Sequence, residues 1–235
     1  MAENLSAVWD ARGLLLESLG ISVLIAFCAF LIGFVIGVII AALNIAPKNN
    51  PVIRILNVIA NVYVTVIRGT PTMVQLLIMY SSILVAFKYL DTNILVPILA
   101  FGINSGAYMA EIIRSGINSV DGGQLEAGRS LGLGWTATMA KVVIPQAIKT
   151  VIPTIFNEII ILIKETSVIS VIALRIGGVQ KYDLLGLATE KIAINNPKAY
   201  TTFLYTVALL YLVVVLILTL VQKIIEKKAR INERN

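Results

Sequence analysis

Residues 14–43 form an apolar run whose only charged side chain, Glu17, lies at its start. At about 1.5 Å per residue such a run, coiled as a helix, exceeds the ~30 Å hydrocarbon thickness of a bilayer. A helix on the surface of a soluble domain carries one apolar stripe, whereas this run is apolar all round. Only a membrane accommodates it. Four further segments of the same character, roughly 52–87, 94–117, 147–174 and 200–225, divide the rest of the chain. None alternates with the period of two that a transmembrane barrel strand requires, so each must satisfy its own backbone as a helix. The 235 residues thus read as a single all-α integral membrane domain with five transmembrane helices. A charged content of 14%, against about 25% in soluble proteins, agrees. The acidic start (Glu3, Asp10 and Glu17 with only Arg12) and the length of the first apolar run argue against a cleavable signal peptide.

Each segment carries its own punctuation. Pro47 ends the first, which holds Gly33 and Gly37 in a small-xxx-small pattern suited to close helix approach. The second is too long for one straight span and is broken at Arg68-Gly69-Thr70-Pro71. Pro71 has no N–H to give the carbonyl of Ile67, so one kinked or interrupted helix is expected. The fourth and fifth segments are separated by a polar loop, 175–199. No internal repeat is evident.

Five spans place the termini on opposite sides. With the C-terminus inside, Lys48, Arg54, Arg114, Arg129, Lys141, Lys149, Lys223, Lys227, Lys228, Arg230 and Arg234 are inside. Arg12, Lys88, Arg175, Lys181, Lys191 and Lys198 are outside, and Arg68 and Lys164 lie at membrane depth. The positive-inside rule supports this orientation, with the N-terminus outside. The basic balance therefore reflects topology rather than nucleic-acid binding.

With one cysteine, Cys28, and no histidine, the chain has no intrachain disulfide, no Cys/His zinc site and no Ser-His or Cys-His nucleophile pair. It also lacks the G-x-x-x-x-G-K-[ST] phosphate loop, so it does not hydrolyse ATP by that machinery.

A polar insert, 119–145, interrupts the membrane pattern between the third and fourth spans and falls on the inner side. Asp121 and Gln124 suggest an N-cap and its N3 partner, with a short helix running to Leu131. Gly132 suits the left-handed position after a helix, and a second short helix starts near Gly134 and leads to Pro145, where the chain turns back into the membrane. On composition alone this is an amphipathic interfacial hairpin. Its residues say more. Glu126-Ala127-Gly128, then Gly132, then Val142-Val143-Ile144-Pro145 resembles the EAA loop of ABC importer membrane subunits, which reads E-A-A, three residues, G, nine residues, I, one residue, L-P. Gly128, Val142 and Ile144 depart conservatively from it; Gly128 in place of alanine loosens an isolated helix by about 1 kcal/mol.

The likeness continues through Val66-Ile67-Arg68-Gly69-Thr70-Pro71, Gln75-Leu76, Ser105 to Arg114 and Ile163-Lys164-Glu165-Thr166-Ser167. Together these resemble the polar-amino-acid branch of type I ABC importers, the histidine, glutamine and arginine permeases, over nearly the whole chain. The resemblance implies a permease subunit in a bacterial plasma membrane. It pairs with a second permease subunit, identical or related, and docks an ATP-binding subunit through Glu126, Ala127, Gly128, Gly132 and Pro145. An extracellular solute-binding protein delivers a polar amino acid, cationic ones included. ATP and Mg would sit on the partner ATPase, with no cofactor on this chain.

Ionisable groups at membrane depth are costly and each needs a reason. Gly69 and Pro71 read as structural, while Thr70 is either part of a kink or part of the solute pathway, as broken helices in transporters often are. Arg68 and Gln75, seven apart, share a helix face, as do Asn104, Tyr108 and Glu111 at i, i+4, i+7. Glu111 is placed to pair with Arg114, making a helix–helix seam, with Asn104 and Tyr108 as pathway candidates. On the fourth span Asn157 and Glu158 lie among Ile, Phe and Val. A carboxylate there would attract an α-ammonium or cationic side chain, unless Arg68 or Lys164 neutralises it. Lys164 and Glu165, nearer the outer end, read as a gate or scaffold ion pair. A secondary transporter or channel is the alternative, disfavoured by the missing inverted repeats. An intramembrane enzyme finds no catalytic cluster to support it.

Overall fold

The computed structural model describes residues 2–86 and 93–231. Phe87, Lys88 and Arg234, and the side chains of Glu3, Lys228 and Arg230, all used above, lie outside the described residues. Helix α1 (Ala2–Asp10) is followed after one residue by α2 (Arg12–Ile45). Helix α3 (Pro51–Arg68) starts as the sequence dictates: Pro51 occupies its first turn, and Asn50 Oδ1 accepts the Val52 N–H at 2.8 Å. After the break at 69–71 comes α4 (Thr72–Ala86), then α5 (Leu95–Asn118). The elbow consists of α6 (Gly122–Ser130) and α7 (Trp135–Thr138). A π-turn at Met139–Val143 joins α7 to α8 (Ile144–Glu165), which tightens to a 3-10 turn at Thr166–Val171.

A cap follows, at the end of the bundle opposite the elbow. A two-residue hairpin, β1 (Arg175–Ile176) with β2 (Val179–Gln180), turns on Gly177 and Gly178, whose φ angles of 58° and 75° suit glycine. Then come α9 (Leu184–Gly186), a π-turn at Leu187–Ile192, α10 (Ala193–Asn195) and the closing helix α11 (Tyr200–Ile231). Five of the described helical stretches are long and apolar enough to cross a membrane: Arg12–Ile45, Pro51–Arg68, Leu95–Asn118, Trp135–Val171 and Tyr200–Lys227.

Helices α2 and α5 make the most extensive contact in the fold. A Cβ on Gly33 would lie 2.7 Å from Ser105 Cβ, and one on Gly37 would lie 2.4 Å from Met109 Cβ. From the other side, Gly102 and Gly106 meet the side chains of Ile32 and Ile36. Two small-xxx-small pairs therefore face each other, in parallel register, and bring the backbones close. The Gly33/Gly37 half was legible from the sequence; the Gly102/Gly106 half was not singled out. Around this seam Ile25, Ala29, Leu76, Phe101, Leu162 and Ile169 form the main core. Leu15, Leu184, Leu187, Phe203 and Val207 form a second core under the cap.

The second segment is interrupted at 69–71, as expected, into α3 and α4, of which only α3 is long enough to count as a span. One expectation changes: the chain does not turn at Pro145. Helix runs on from Trp135 through Pro145 into α8, and the reversal occurs earlier, at Gly132. Pro145 has no N–H to complete an α-turn with Lys141. The helix widens at that point, with the Ile144 N–H reaching the Met139 carbonyl five residues back, so the proline is absorbed rather than terminal.

Candidate functional site

The break between α3 and α4 is closed by a side chain. Pro71 leaves the Ile67 carbonyl without its helical donor, and Gln75 Nε2 supplies one at 2.8 Å. The same amide reaches Thr70 Oγ1 at 2.6 Å, while Thr70 Oγ1 donates to the Val66 carbonyl at 2.9 Å. Asn104 Nδ2, buried on α5, then donates to Gln75 Oε1 at 3.0 Å. Thr70, Gln75 and Asn104 are thereby brought together as one chain of hydrogen bonds across α3, α4 and α5. Gly69 fits the turn closely, since a Cβ there would lie 2.8 Å from the Thr65 carbonyl oxygen.

Arg68 points along α5. Its guanidinium lies over the Tyr108 ring at 5.3 Å and 3.7 Å from Glu111 Oε2. Glu111 is held more tightly by Arg114, which donates from Nε at 3.1 Å and from Nη2 at 2.5 Å. The i, i+3 pairing read from the sequence is formed, and Arg68 joins it from the neighbouring helix.

Glu158 lies elsewhere, in the seam between α5 and α8, only 5% exposed. Ser105 Oγ donates to its Oε1 at 2.8 Å. Neither Arg68 nor Lys164 forms an ion pair with it among the described residues, so the neutralising partners weighed from the sequence are not there. Asn157, next along α8, is exposed, as is Lys164; Glu165 is half-buried, and among the described residues the Lys164–Glu165 ion pair is not formed. A buried carboxylate with a single hydroxyl donor keeps acceptor capacity for a cation.

The elbow is a built corner. Asp121 Oδ1 accepts the Gly123 N–H at 2.9 Å at the start of α6. At its end the Leu133 N–H meets the Gly128 carbonyl at 3.1 Å and the Gly132 N–H meets the Arg129 carbonyl at 3.0 Å, with Gly132 at φ 83°. This is the Schellman arrangement, which requires a left-handed residue at Gly132. Gly128 is buried against α7: a Cβ there would lie 2.4 Å from Thr138 Cγ2. Its role is close approach, which the helix-propensity reading of the sequence missed. Glu126, Ala127 and Pro145 remain exposed, and Leu131 projects at the apex with 83% exposure. Gly128→Ala is therefore expected to loosen the corner by about 1–3 kcal/mol through overpacking. Faster limited proteolysis between α6 and α7 reads this out, and Gly128→Ala/Thr138→Ala restores the wild-type rate.

The cap opposite the elbow holds a group that the sequence gave no reason to single out. Asp183, 2% exposed, accepts the Leu185 and Gly186 N–H groups at 3.0 and 3.2 Å and begins α9. Burial pushes its carboxyl up to about 7, outweighing those two donors. Lys181 pairs with Glu17 on α2, and Asn93 clasps Ala173 and Arg175, fixing the cap to the N-terminal ends of α2 and α5. Within the described residues no group of three or more His, Cys, Asp or Glu side chains forms a metal cluster.

Residues 33–231 match the family described as binding-protein-dependent transport system inner membrane component. The chain is 35% identical over 220 residues to the arginine transport system permease protein ArtQ of Bacillus subtilis, covering 93% of this chain and 94% of that one. It is 34% identical over 208 residues to the putative glutamine transport system permease protein GlnP of Rickettsia felis, covering 87% of each. Among solved structures it resembles a chain of an amino acid ABC transporter crystallised with histidines. The TM-score is 0.82 at 34% identity, over 95% of this chain and 97% of that one. A chain of the inward-facing MetNI methionine ABC transporter shares the fold, with a TM-score of 0.69 at 17% identity.

Proposed function

This chain belongs to the family of binding-protein-dependent transport inner membrane components, the multi-pass permease subunits of ABC importers, and from that premise we propose that it carries a polar amino acid into the cell by alternating access. It is a transport subunit and not an enzyme. ATP and Mg are bound by a separate ATPase, which grips the elbow around Glu126, Ala127, Gly128 and Gly132. A second permease chain completes the pathway, and an external binding protein delivers the solute. The N-terminus is outside and the elbow and C-terminus are cytoplasmic.

The observation that carries the solute reading is Glu158: a carboxylate buried in a helix seam, bonded to Ser105 and unpaired by any cation among the described residues. The counter-charge it lacks is the α-ammonium or cationic side chain of an amino acid, admitted when the α5–α8 seam opens. Asn157 lies beside it. Thr70 and Gln75 at the α3–α4 break, with Asn104 and Tyr108 on α5, complete the pathway, with Arg68, Gly69, Pro71, Glu111 and Arg114 as its scaffold and Lys164 and Glu165 toward the outer end.

Co-purification from native membranes in mild detergent tests the assembly: a stoichiometric ATP-binding subunit is expected, and a lone chain that transports without ATP would overturn the reading. Glu158→Gln tests the site. Hydrogen bonds to a charged group contribute about 1.5–3 kcal/mol, so kcat/KM for uptake is expected to fall about tenfold or more while ATPase assembly is unchanged. Unaltered uptake kinetics would return Glu158 to a structural role.

A further inference from the structure

Gln222 is a polar residue on an apolar stripe. Tyr211, Val214 and Leu218 pack α11 against the main core, and Gln222 continues their helical spacing. An amide in a helix seam within a membrane span is costly unless it is bonded, and a leucine would pack there without that cost. Both donor hydrogens of the amide are committed. Gln222 Nε2 gives one to the Pro153 carbonyl on α8 at 3.2 Å and the other to Glu226 Oε1, one turn further along α11, at 2.9 Å. The carboxylate fixes the direction of the amide, and the amide holds α8.

The point it holds is also where α8 is seated from another side. Residues two apart on a helix point about 200° apart. Val151, two before Pro153, lies against Gly116 of α5, where an added Cβ would be 2.0 Å from Val151 Cγ1 and 3.3 Å from the Ala147 carbonyl oxygen. Helices α5 and α11 thus grip one level of α8 between them. At this level α8 is also weakest against bending. Pro153 lies inside the helix and has no N–H to give the Lys149 carbonyl. Thr150 Oγ1 donates to the Gln146 carbonyl at 3.3 Å, a back-bond of the kind that bends helices. On one side of the grip lies the elbow. On the other, about 7.5 Å along the axis, lies Glu158.

We propose that Gln222 is a positioning residue for transport: it clamps α8 at Pro153, so that displacement of the elbow pivots the half of α8 that carries Glu158. The inference rests on the import reading above, since it takes the elbow as the point where the ATPase acts. Without the clamp, elbow displacement is spent as slip of α8 along α11. ATP is still hydrolysed, but the α5–α8 seam opens in fewer cycles. The loss therefore falls on solute moved per ATP.

The test uses the complete transporter in proteoliposomes, with binding protein and tritiated L-arginine or L-glutamine outside and ATP inside. Uptake and ATP hydrolysis are measured on the same vesicles. Gln222→Met keeps the length of the side chain and removes the donor. It raises ATP hydrolysed per solute by about three- to tenfold, the factor carried by one hydrogen bond, while hydrolysis stays within about twofold of wild type. Gln222→Lys, which keeps an N–H donor for both acceptors, retains the wild-type ratio. Pro153→Ala raises the ratio by itself, and Gln222→Met adds less in that background than alone, as expected for groups acting at one point. Uptake and hydrolysis that fall together in Gln222→Met, or a raised ratio that persists in Gln222→Lys, overturn the proposal.

If wild-type vesicles show no ATP-dependent uptake, the import reading fails instead. The clamp is then decided by hydrogen exchange of residues 144–158 in nanodiscs. Exchange about three- to tenfold faster in Gln222→Met and unchanged in Gln222→Lys supports it. Equal exchange in Gln222→Met and wild type overturns it.

Discussion

Gly37→Leu is expected to disassemble the bundle. The first added atom alone, the Cβ, would lie 2.4 Å from Met109 Cβ, 2.9 Å from the Ala110 nitrogen and 3.0 Å from the Met109 carbonyl carbon. Two of these three neighbours are backbone atoms and cannot rotate aside. Helix α2 must therefore move away from α5, and the facing contacts of Gly33, Gly102 and Gly106 open with it. In a bilayer this loss is not offset by hydrophobic burial, because lipid tails are as apolar as the separated surfaces. Close packing is itself the association force. Overpacking in soluble cores costs about 1–3 kcal/mol, and a clash against backbone belongs at the upper end. About 3 kcal/mol corresponds to a fall in Tm of roughly 10 °C for a chain of this size. Thermal melting of the purified protein measures it. Gly20→Leu is the control: it sits on the same helix, and a Cβ there has no neighbour within 4 Å. Equal melting of both variants and the wild type would mean that α2 and α5 are not in the described register.

Deleting Glu126 to Gly132 is expected to abolish association with the ATP-binding subunit and to leave the transmembrane helices folded. The removed residues are most of α6 and its Schellman turn. They contribute little to the membrane cores, whose members come from α2, α3, α4, α5, α8, α11 and the cap. What is lost is the exposed ridge of Glu126, Ala127 and Leu131. Exposed leucine at the apex of a capped corner is poorly explained by stability and well explained by a partner surface. Co-purification with the ATPase should disappear while the melting curve of the permease stays in place. Association retained after the deletion would place the docking surface elsewhere.

Much of the fold was legible because bilayer physics leaves few choices. An apolar run long enough to span must be a helix. Local chemistry was equally readable where one residue decides it: Gly132 takes the left-handed position, Gly134 precedes the second elbow helix, and Glu111 pairs with Arg114. The misreadings share a different cause. Pro145 looked like a terminator because an α-helix cannot carry it unmodified, but a π-turn upstream can. Gly128 looked like a weak helix former, yet its missing Cβ makes room for Thr138, a contact between segments that the reading of helix propensity did not weigh. The surroundings of Glu158 were illegible for the same reason. Its partner Ser105 lies on another helix, and Arg68, a plausible counter-ion by depth, is drawn instead to Tyr108 and Glu111.

The Gln75 amide changes what the interruption after Arg68 means mechanically. A proline break with free carbonyls is a joint, able to flex at little cost. Here the missing peptide donor is replaced by a side chain that is itself tethered to Asn104 on α5. Bending α3 against α4 must break the bond to Ile67, and sliding the pair along α5 must break the bond to Asn104. The three helices are therefore splinted into one unit. The contact between α5 and α8 carries its own tie, the bond from Ser105 to Glu158, but spans no helix break.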